Sequence, residues 1–220
     1  YVVAVGPRGA RGAPRLVPSV ADPHSISYSA STRTLAFAKF TLRQNIWSYP
    51  LGRSSPISIR DGWPVTSGSQ VIEESDVSPD GRWLVFDSNR RGTMDLYKMP
   101  VEGGEAVALT ADTGVEFDPR WSPDGREIAF YSVLSADTNV IMVMPASGGA
   151  PVATWATWSM YTGYPEWSPS GRDIAFKMYT PHRRLQVWVM SRDSIGGLWH
   201  APRLLTDLCA GPSDWAPDGT

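Results

Sequence analysis

The sequence has 220 residues, a net charge of −2 and 42% hydrophobic residues, which indicates a globular protein with a sizeable core. The balanced charge argues against a nucleic-acid-binding face, because neutralising phosphates needs a concentrated excess of Lys and Arg that no segment supplies. No apolar run approaches the roughly 20 residues of a membrane-spanning helix, and the single cysteine, Cys209, excludes an internal disulfide.

The first residues predict an incomplete structural unit. Residues 1–5 form a β-branched run, and residues 14–18 read as a second short strand closed by prolines. The glycine-rich segment between them is typical of a flexible hairpin loop. Residues 1–18 therefore correspond to about half of the unit that repeats along the rest of the chain.

A ten-residue pattern then recurs through the chain. Its clearest copy is Trp-Ser-Pro-Asp-Gly-Arg-Glu-Ile-Ala-Phe at residues 121–130; related copies begin at Val77, Trp167 and Trp215, and a weaker copy begins at Tyr28. The Ser or Ala residues that open the turns are at positions 29, 78, 122, 168 and 216, which gives spacings of 49, 44, 46 and 48 residues. A period in the forties made of short strand-like segments is typical of β-propeller blades.

Each complete unit contains four predicted strands. In the clearest unit these are residues 116–121, 127–132, 140–144 and 151–155. The middle strands are apolar without clean alternation, which indicates that both faces of the sheet are buried, as in a blade packed between two others. No window has a sustained helical period, and Gly and Pro interrupt the chain about every fifteen residues.

The pattern predicts an all-β fold, a β-propeller segment of four-stranded antiparallel blades. We expect four near-complete blades with partial blades at both ends, in a fragment of a larger propeller of roughly six or seven blades, because a propeller must close on itself. The predicted parts are a half blade at 1–18, blades at 25–66, 71–110, 115–155 and 161–206, and the start of another blade at 211–220.

The recurring turn is explained by folding alone. Pro fixes φ near −65°, Asp accepts local main-chain hydrogen bonds, Gly supplies a positive φ, and the Ser hydroxyl caps the turn. The Asp residues occur once per blade on separate hairpins and lack the alternating carboxylates of a calcium loop. The turn therefore predicts neither a metal site nor a serine nucleophile.

The order Ser-Pro-Asp-Gly-Arg, Ile-Ala-Phe, Asp-Leu-Tyr, Gly-Gly and a strand ending in Leu-Thr resembles the TolB-type, WD-like β-propeller repeat. The resemblance is strong over residues 73–220 and weaker over residues 25–66. Such blades occur in TolB, in peptidases of the prolyl oligopeptidase type, in tricorn-like proteases, and in the sensor regions of bacterial Ser/Thr kinases and transcription regulators. The unit at residues 45–47, followed by the copy at 76–81, is most similar to the last group.

Catalytic signatures are absent from the sequence. No Gly-x-Ser-x-Gly elbow, phosphate loop or Gly-x-Gly-x-x-Gly segment occurs, and His24, His182 and His200 form no His-Glu-x-x-His pattern. We therefore expect no enzymatic activity in this segment, and neither a cofactor nor a bound metal.

A binding surface remains as the functional prediction. The positions that precede or begin the innermost strands are mostly acidic, which predicts a negative channel mouth that attracts a basic peptide segment, a partner loop or a cation. Glu73 and Glu116 belong to this group. The alternative is that these side chains satisfy strand-end amides and hydroxyls of adjacent blades. The candidate binding residues are Glu74, Asp76, Asp118, Arg120, Tyr164, Glu166 and Asp214.

The resemblance implies a non-enzymatic, TolB-like propeller that serves as a protein-interaction or ligand-sensing module, with a protein or peptide partner at the channel mouth. It also implies an extracytoplasmic, periplasmic location. The alternative is a regulatory propeller domain of a larger enzyme, a Ser/Thr protein kinase or a prolyl-oligopeptidase-like peptidase, whose catalytic domain lies outside this segment. We expect no nucleic-acid partner and no membrane insertion.

Overall fold

A computed structural model describes most of the chain, and its regular structure is almost entirely antiparallel β-sheet. The described residues are 2–6, 9–15, 23–29, 31–32, 34–39, 41–51, 58–111, 114–136, 138–157, 162–179, 184–206 and 215–218. Within these ranges there is no α-helix, and one 3₁₀ helix spans Ile59–Asp61. The chain divides into two compact units, residues 1–42 and 43–220.

The first unit contains two antiparallel hairpins. Strand β1 (Val2–Gly6) pairs with β2 (Gly9–Arg15). Strand β3 (Pro23–Ser29) pairs with β4 (Thr34–Lys39). The first hairpin falls within the predicted half blade, and the second contains the weaker copy of the repeat.

The second unit begins with a short pair, β5 (Trp47–Ser48) and β6 (Trp63–Pro64), followed by three four-stranded antiparallel sheets. Blade A consists of β7 (Ser75–Val77), β8 (Trp83–Ser88), β9 (Asp95–Pro100) and β10 (Val107–Ala108). Blade B consists of β11 (Val115–Trp121), β12 (Glu127–Ser135), β13 (Thr138–Pro145) and β14 (Ala153–Thr157). Blade C consists of β15 (Thr162–Trp167), β16 (Asp173–Tyr179), β17 (Leu185–Ser191) and β18 (Arg203–Thr206).

In each of these blades the strands pair in chain order, which is the meander that the repeat predicts. The all-β propeller fold expected from the sequence is thereby confirmed. The predicted blade at 25–66 is divided between the two units, so its extent as one blade stays a prediction. Of the predicted start at 211–220, the structure describes residues 215–218.

The core lies between neighbouring blades. Val85 of blade A packs with Ile128 and Phe130 of blade B, whereas Leu84 and Phe86 belong to a separate cluster on the opposite face of blade A. All five side chains are almost completely buried. Burying an aliphatic or aromatic side chain contributes about 1.5–3 kcal/mol. Packing between blades therefore supplies much of the stability, as the apolar middle strands predict.

The recurring turns have the structure expected from their residues. In blade A, Trp83 N donates to Ser78 Oγ at 2.9 Å, and Ser78 Oγ donates to Asp80 Oδ1 at 2.6 Å. Asp80 also accepts from Arg82 N at 3.1 Å, and Gly81 has a φ of 71°. These contacts occupy the polar groups of the motif, so the turn serves to close the hairpin.

Candidate functional site

The first strands of the blades bring several predicted residues together. Arg120 on β11 lies between Glu74, just before β7, and Glu166 on β15. Arg120 Nε donates to Glu166 Oε1 at 3.1 Å, and Arg120 Nη2 donates to Glu74 Oε2 at 3.3 Å. One guanidinium group thus links blade B to both of its neighbours.

Burial favours the neutral form of Arg120, but the adjacent carboxylates of Glu166, Glu74 and Asp76 outweigh it and raise the pKa of the guanidinium. Arg120 is therefore charged throughout the physiological range. Its side chain is 18% exposed, compared with 36% for Glu74 and 22% for Glu166. The two glutamates are the more accessible groups of this bridge.

The repeat period explains why these residues converge. Asp76, Arg120 and Glu166 occupy the same place in blades A, B and C, with spacings of 44 and 46 residues. Asp214, 48 residues after Glu166, occupies the next equivalent place and lies outside the described residues. Equivalent positions in successive blades lie next to one another. Residues that share one position of the repeat therefore form one cluster.

A second set of equivalent positions, two residues earlier, contains Glu74, Asp118 and Tyr164. The pairing of β11 with β12 shifts between Phe117 and Arg120, and the pairing of β15 with β16 shifts at the corresponding place. Inside these bulges Asp118 has a φ of 51° and Tyr164 a φ of 52°. The left-handed conformation is uncommon for a tyrosine. Strained residues that recur at one place in two blades mark this part of the sheet as a candidate site.

Carboxylates hold the amides of these segments. Asp87 Oδ1 accepts from Glu73 N at 2.7 Å and from Glu74 N at 3.1 Å. Asp87 Oδ2 accepts from Asp118 N at 3.3 Å, and Asp118 Oδ2 accepts from Tyr164 N at 3.1 Å. Each carboxylate therefore binds main chain in the following blade. We call Asp87, Asp118 and the amides that they bind the carboxylate relay.

Burial also changes the acidity of the relay. It raises the pKa of Asp87 to about 6, although three main-chain hydrogen bonds oppose the change and Glu73 adds to it. Burial raises the pKa of Asp118 to about 6 as well, and the carboxylates of Glu74 and Asp87 add to the effect. Both groups are ionised at neutral pH but lie close to their midpoints.

Asp76 has a comparable structural contact. Its Oδ2 accepts from Trp121 N at 2.8 Å, across the boundary between blades A and B. Burial raises the pKa of Asp76, while that hydrogen bond and the charge of Arg120 oppose the change. Asp76 and Asp118 thus bind main-chain amides at strand ends. This is the role that the sequence indicates as the alternative to binding a partner.

Glu116 is directed into the protein. Its carboxylate accepts hydrogen bonds from Ser132 Oγ at 3.0 Å and from Thr110 Oγ1 at 3.4 Å, and the residue is 4% exposed. Burial raises the pKa of its carboxyl. Glu73, in contrast, is exposed. Among the candidate residues at the channel mouth, Glu73 and the half-buried Glu74 are therefore the carboxylates of blade A that a partner can reach most directly.

Sequence reasoning missed a third set of equivalent positions, on the second strands. Asp87, Tyr131 and Lys177 follow the buried Phe of their strands and are 44 and 46 residues apart. Lys177 Nζ is 4.4 Å from the ring centroid of Tyr164, and the Tyr131 ring stacks on Phe117 at 5.2 Å. Charged residues within apolar strands, Asp87 and Lys177, are the sequence signal for this set.

The described part of the chain contains no group of three or more His, Cys, Asp or Glu side chains placed to hold a metal ion. Nor do these residues form any helix of sufficient length and apolar character to cross a membrane.

Similar proteins include a peptidase and TolB. Over 118 residues the chain is 36% identical to the uncharacterized peptidase YuxL of Bacillus subtilis, a match that covers 50% of this chain and 17% of the peptidase. Over 52 residues it is 38% identical to the Tol-Pal system protein TolB of Francisella tularensis, covering 24% of this chain and 12% of that protein. The chain therefore spans less than a fifth of the length of either relative.

A solved structure agrees in fold. The putative TolB from Agrobacterium tumefaciens matches with a TM-score of 0.52 at 24% identity, over 73% of this chain and 55% of that structure. Residues 27–195 match the family model described as the TolB beta propeller domain. With blades A to C in place, these matches show that the chain belongs to the TolB beta propeller domain family.

Proposed function

We propose that this chain is a non-enzymatic TolB-like propeller module that binds a protein partner through a basic peptide segment at the channel mouth. The observation that supports the proposal is the bridge of Arg120 in blade B to Glu74 in blade A and Glu166 in blade C, which gathers charged side chains of three blades into one cluster. Around it lie Asp76 and the exposed Glu73. Carboxylates outnumber cations in this cluster, so its potential is negative and attracts cationic side chains.

A basic segment has two means of binding there. It can pair with Glu73, whose carboxylate is exposed, and it can compete with Arg120 for Glu74. Exposed ion pairs contribute little individually, so we expect weak affinity per contact, fast association and strong dependence on ionic strength. Such binding suits a module that scans or senses a partner.

The test uses a fluorescent ten-residue peptide of alternating Lys and Ser, titrated by fluorescence anisotropy at low ionic strength. The Glu73→Gln/Glu74→Gln variant should weaken binding at least about fivefold, because it removes both reachable charges while Gln keeps the size of Glu and can still accept a hydrogen bond. Glu166 and Asp118 stay unchanged, since Glu166 then keeps its own bond to Arg120 at 3.1 Å when that of Glu74 is weakened, and Asp118 keeps its bond to Tyr164 N.

The matched control is Glu102→Gln/Glu105→Gln, which removes two exposed charges from the loop between β9 and β10 of the same blade. This control should bind the peptide within about twofold of the native chain. Equal weakening by both variants would show that the peptide responds to net charge, and unchanged binding in the mouth variant would exclude the site.

A second candidate is a regulatory propeller of a larger enzyme, either a Ser/Thr protein kinase or a prolyl-oligopeptidase-like peptidase. The 36% identity to the uncharacterized peptidase YuxL over half of this chain favours the peptidase. The decisive measurement is the sequence of the complete gene, followed by an assay of its full product. A Gly-x-Ser-x-Gly segment together with hydrolysis of a chromogenic peptide supports the peptidase form, and their absence excludes that form. A kinase catalytic loop in the complete sequence together with protein phosphorylation supports the kinase form, and their absence excludes that one.

We also propose an extracytoplasmic, periplasmic location. The support is the match to the Tol-Pal system protein TolB. Fractionation of cells that express the complete gene from its native start tests this. Recovery with the periplasmic fraction is expected, and recovery with the cytoplasmic fraction contradicts it.

A further inference from the structure

Blade A departs from the repeat at Lys98. On β9, Lys98 pairs with Val85, and the corresponding pairs in the next two blades place Val143 opposite Ala129 and Val189 opposite Ala175. Val143 and Val189 are 0% and 1% exposed. The sequence therefore puts a lysine at a position that is a buried valine in blades B and C.

The lysine side chain reaches the boundary between blades A and B. Its Nζ is 4.7 Å from the ring centroid of Trp83 and 5.2 Å from that of Trp121, and it donates to Ala146 O at 3.0 Å. Burial lowers the pKa of Lys98, although Asp80 opposes the change. Among the described residues no carboxylate lies within ion-pair distance of Nζ, so the indole faces and one carbonyl are its main partners.

A cavity of about 470 Å³ opens at this ammonium group. Its size falls in the range of small-molecule sites. Its lining consists of Ser78, Pro79, Asp80, Arg82, Trp83, Lys98, Trp121, Asp124 and Gly125. The two aspartates are engaged in their own turns, through Ser78 and Arg82 for Asp80 and through Ser122 and Arg126 for Asp124. Among the described lining residues, Lys98 is therefore a cation with no carboxylate within ion-pair distance, although the charge of Asp80 acts on it from farther away.

The same boundary has a second departure from the repeat. The repeat tryptophans Trp167 and Trp215 donate their indole N–H to Arg120 O and Glu166 O of the preceding blade. Trp121, although 6% exposed, has no hydrogen-bond acceptor for Nε1 among the described residues. A buried donor without an acceptor is unfavourable, so the boundary between blades A and B lacks a stabilising contact that the boundary between blades B and C has.

We propose that this cavity binds small organic carboxylates, with the carboxylate on Lys98 and the apolar body of the ligand against Trp83. A lysine ammonium has three hydrogens, and the described residues use one of them. Trp83 exposes 36% of its surface and provides an apolar wall. The site lies between two blades, so its ligand stabilises their contact, and its lining includes none of the candidate residues of the channel mouth.

Calorimetric titration of the full chain with 3-phenylpropionate, indole-3-acetate and hexanoate tests the proposal. At least one carboxylate should bind, and 3-phenylpropionamide, which lacks the charge, should bind at least about tenfold more weakly than 3-phenylpropionate. Lys98→Val, which restores the residue of blades B and C, should weaken binding at least about tenfold. Arg172→Val removes an exposed charge from the turn of blade C and should leave binding unchanged.

A labelling experiment on the native chain tests the site without relying on a variant. The N-hydroxysuccinimide ester of acetic acid acetylates lysines, and mass spectrometry reports the extent at each. The carboxylate should slow acetylation of Lys98 while leaving that of Lys177 unchanged. Binding that persists in Lys98→Val, equal protection of both lysines, or no binding of any of the three carboxylates would overturn the proposal.

Discussion

Trp167 Nε1 donates a hydrogen bond of 3.1 Å to the main-chain oxygen of Arg120, which joins the repeat tryptophan of blade C to the first strand of blade B. Trp215 makes the equivalent contact with Glu166 O at 2.9 Å. The recurring motif therefore closes each hairpin and also attaches one blade to the preceding one. Trp121 lacks this contact among the described residues. Substitutions at Trp167 and at Trp121 can therefore be compared to isolate the contribution of the hydrogen bond.

Trp167→Phe should reduce the free energy of unfolding by about 1 kcal/mol more than Trp121→Phe. Both changes keep an aromatic ring at a buried position, but only the first removes a hydrogen-bonded N–H and leaves a carbonyl without its donor. Urea unfolding followed by circular dichroism measures the difference. Equal losses would show that the hydrogen bond adds nothing to ring packing.

The carboxylate relay makes stability depend on pH. Asp118 has a pKa of about 6 in the folded chain against 3.8 for the ordinary side chain, so folding favours its protonated form. The stability contribution of this group is therefore full below pH 3.8 and is lost as the pH rises through about 6. Relative to Asp118→Asn, the native chain should lose up to about 3 kcal/mol between pH 4 and pH 8. Unfolding free energies at both pH values test this, and a difference that does not change with pH contradicts it.

Asp80 serves as a control, because its contribution to the free energy of unfolding should change with pH in the opposite direction. Its hydrogen bonds with Ser78 and Arg82 lower its pKa to about 2. Its contribution is present above pH 3.8 and is lost as the pH falls toward 2. Relative to Asp80→Asn, the native chain should therefore become less stable on acidification, whereas relative to Asp118→Asn it should become more stable.

Local chemistry explains what the sequence could predict. The Ser-Pro-Asp-Gly turn depends on neighbouring residues, so its form and its spacing predict the hairpins and the blade order. The closeness of Asp76, Arg120 and Glu166 follows from the same spacing, because equivalent residues of adjacent blades become neighbours, and Glu74 lies two residues before Asp76.

The hydrogen bonds of the candidate site could not be predicted from the sequence, because they depend on the geometry of the packed sheets rather than on any local sequence pattern. Asp118 reaches Tyr164 N because both residues have positive φ inside bulges, a conformation that neither residue type predicts strongly. Asp87 lies in an otherwise apolar strand, and its carboxylate accepts a hydrogen bond from a main-chain amide 31 residues later in the sequence. Such contacts require the packed sheet before they can be identified.

A side chain at position 163 should be unfavourable, because Gly163 lies close to two side chains. A Cβ at this position would lie 3.0 Å from Tyr131 Cε1 and 3.3 Å from Asp118 Oδ2. Gly163→Ala should therefore destabilise the chain by about 1–3 kcal/mol, because the added methyl group displaces the tyrosine ring or the relay carboxylate. Thermal unfolding measures the loss.

A double-mutant cycle with Tyr131→Leu identifies the cause. If the ring is the obstacle, Gly163→Ala should cost less in the Tyr131→Leu background than in the native chain. An unchanged cost would instead assign the effect to the carboxylate of Asp118 or to the main chain.

The bridge through Arg120 yields the last prediction. Arg120→Met keeps much of the side-chain volume but leaves Glu74, Glu166 and Asp76 without their common counter-charge. Since these groups are only partly buried, we expect a loss of about 1–3 kcal/mol in the free energy of unfolding, below that of a fully buried pair. The loss should shrink in 1 M NaCl, where charges are screened over about 3 Å.

The triple variant Arg120→Met/Glu74→Gln/Glu166→Gln separates charge from packing. Removing the two carboxylates removes most of their repulsion, so this variant should regain most of the stability that Arg120→Met loses. If it stays as unstable as the single variant, Arg120 stabilises the blades through its packing and through its bond to Pro119 O, 3.2 Å away. Recovery would show that Arg120 stabilises the blades mainly by neutralising the acidic cluster.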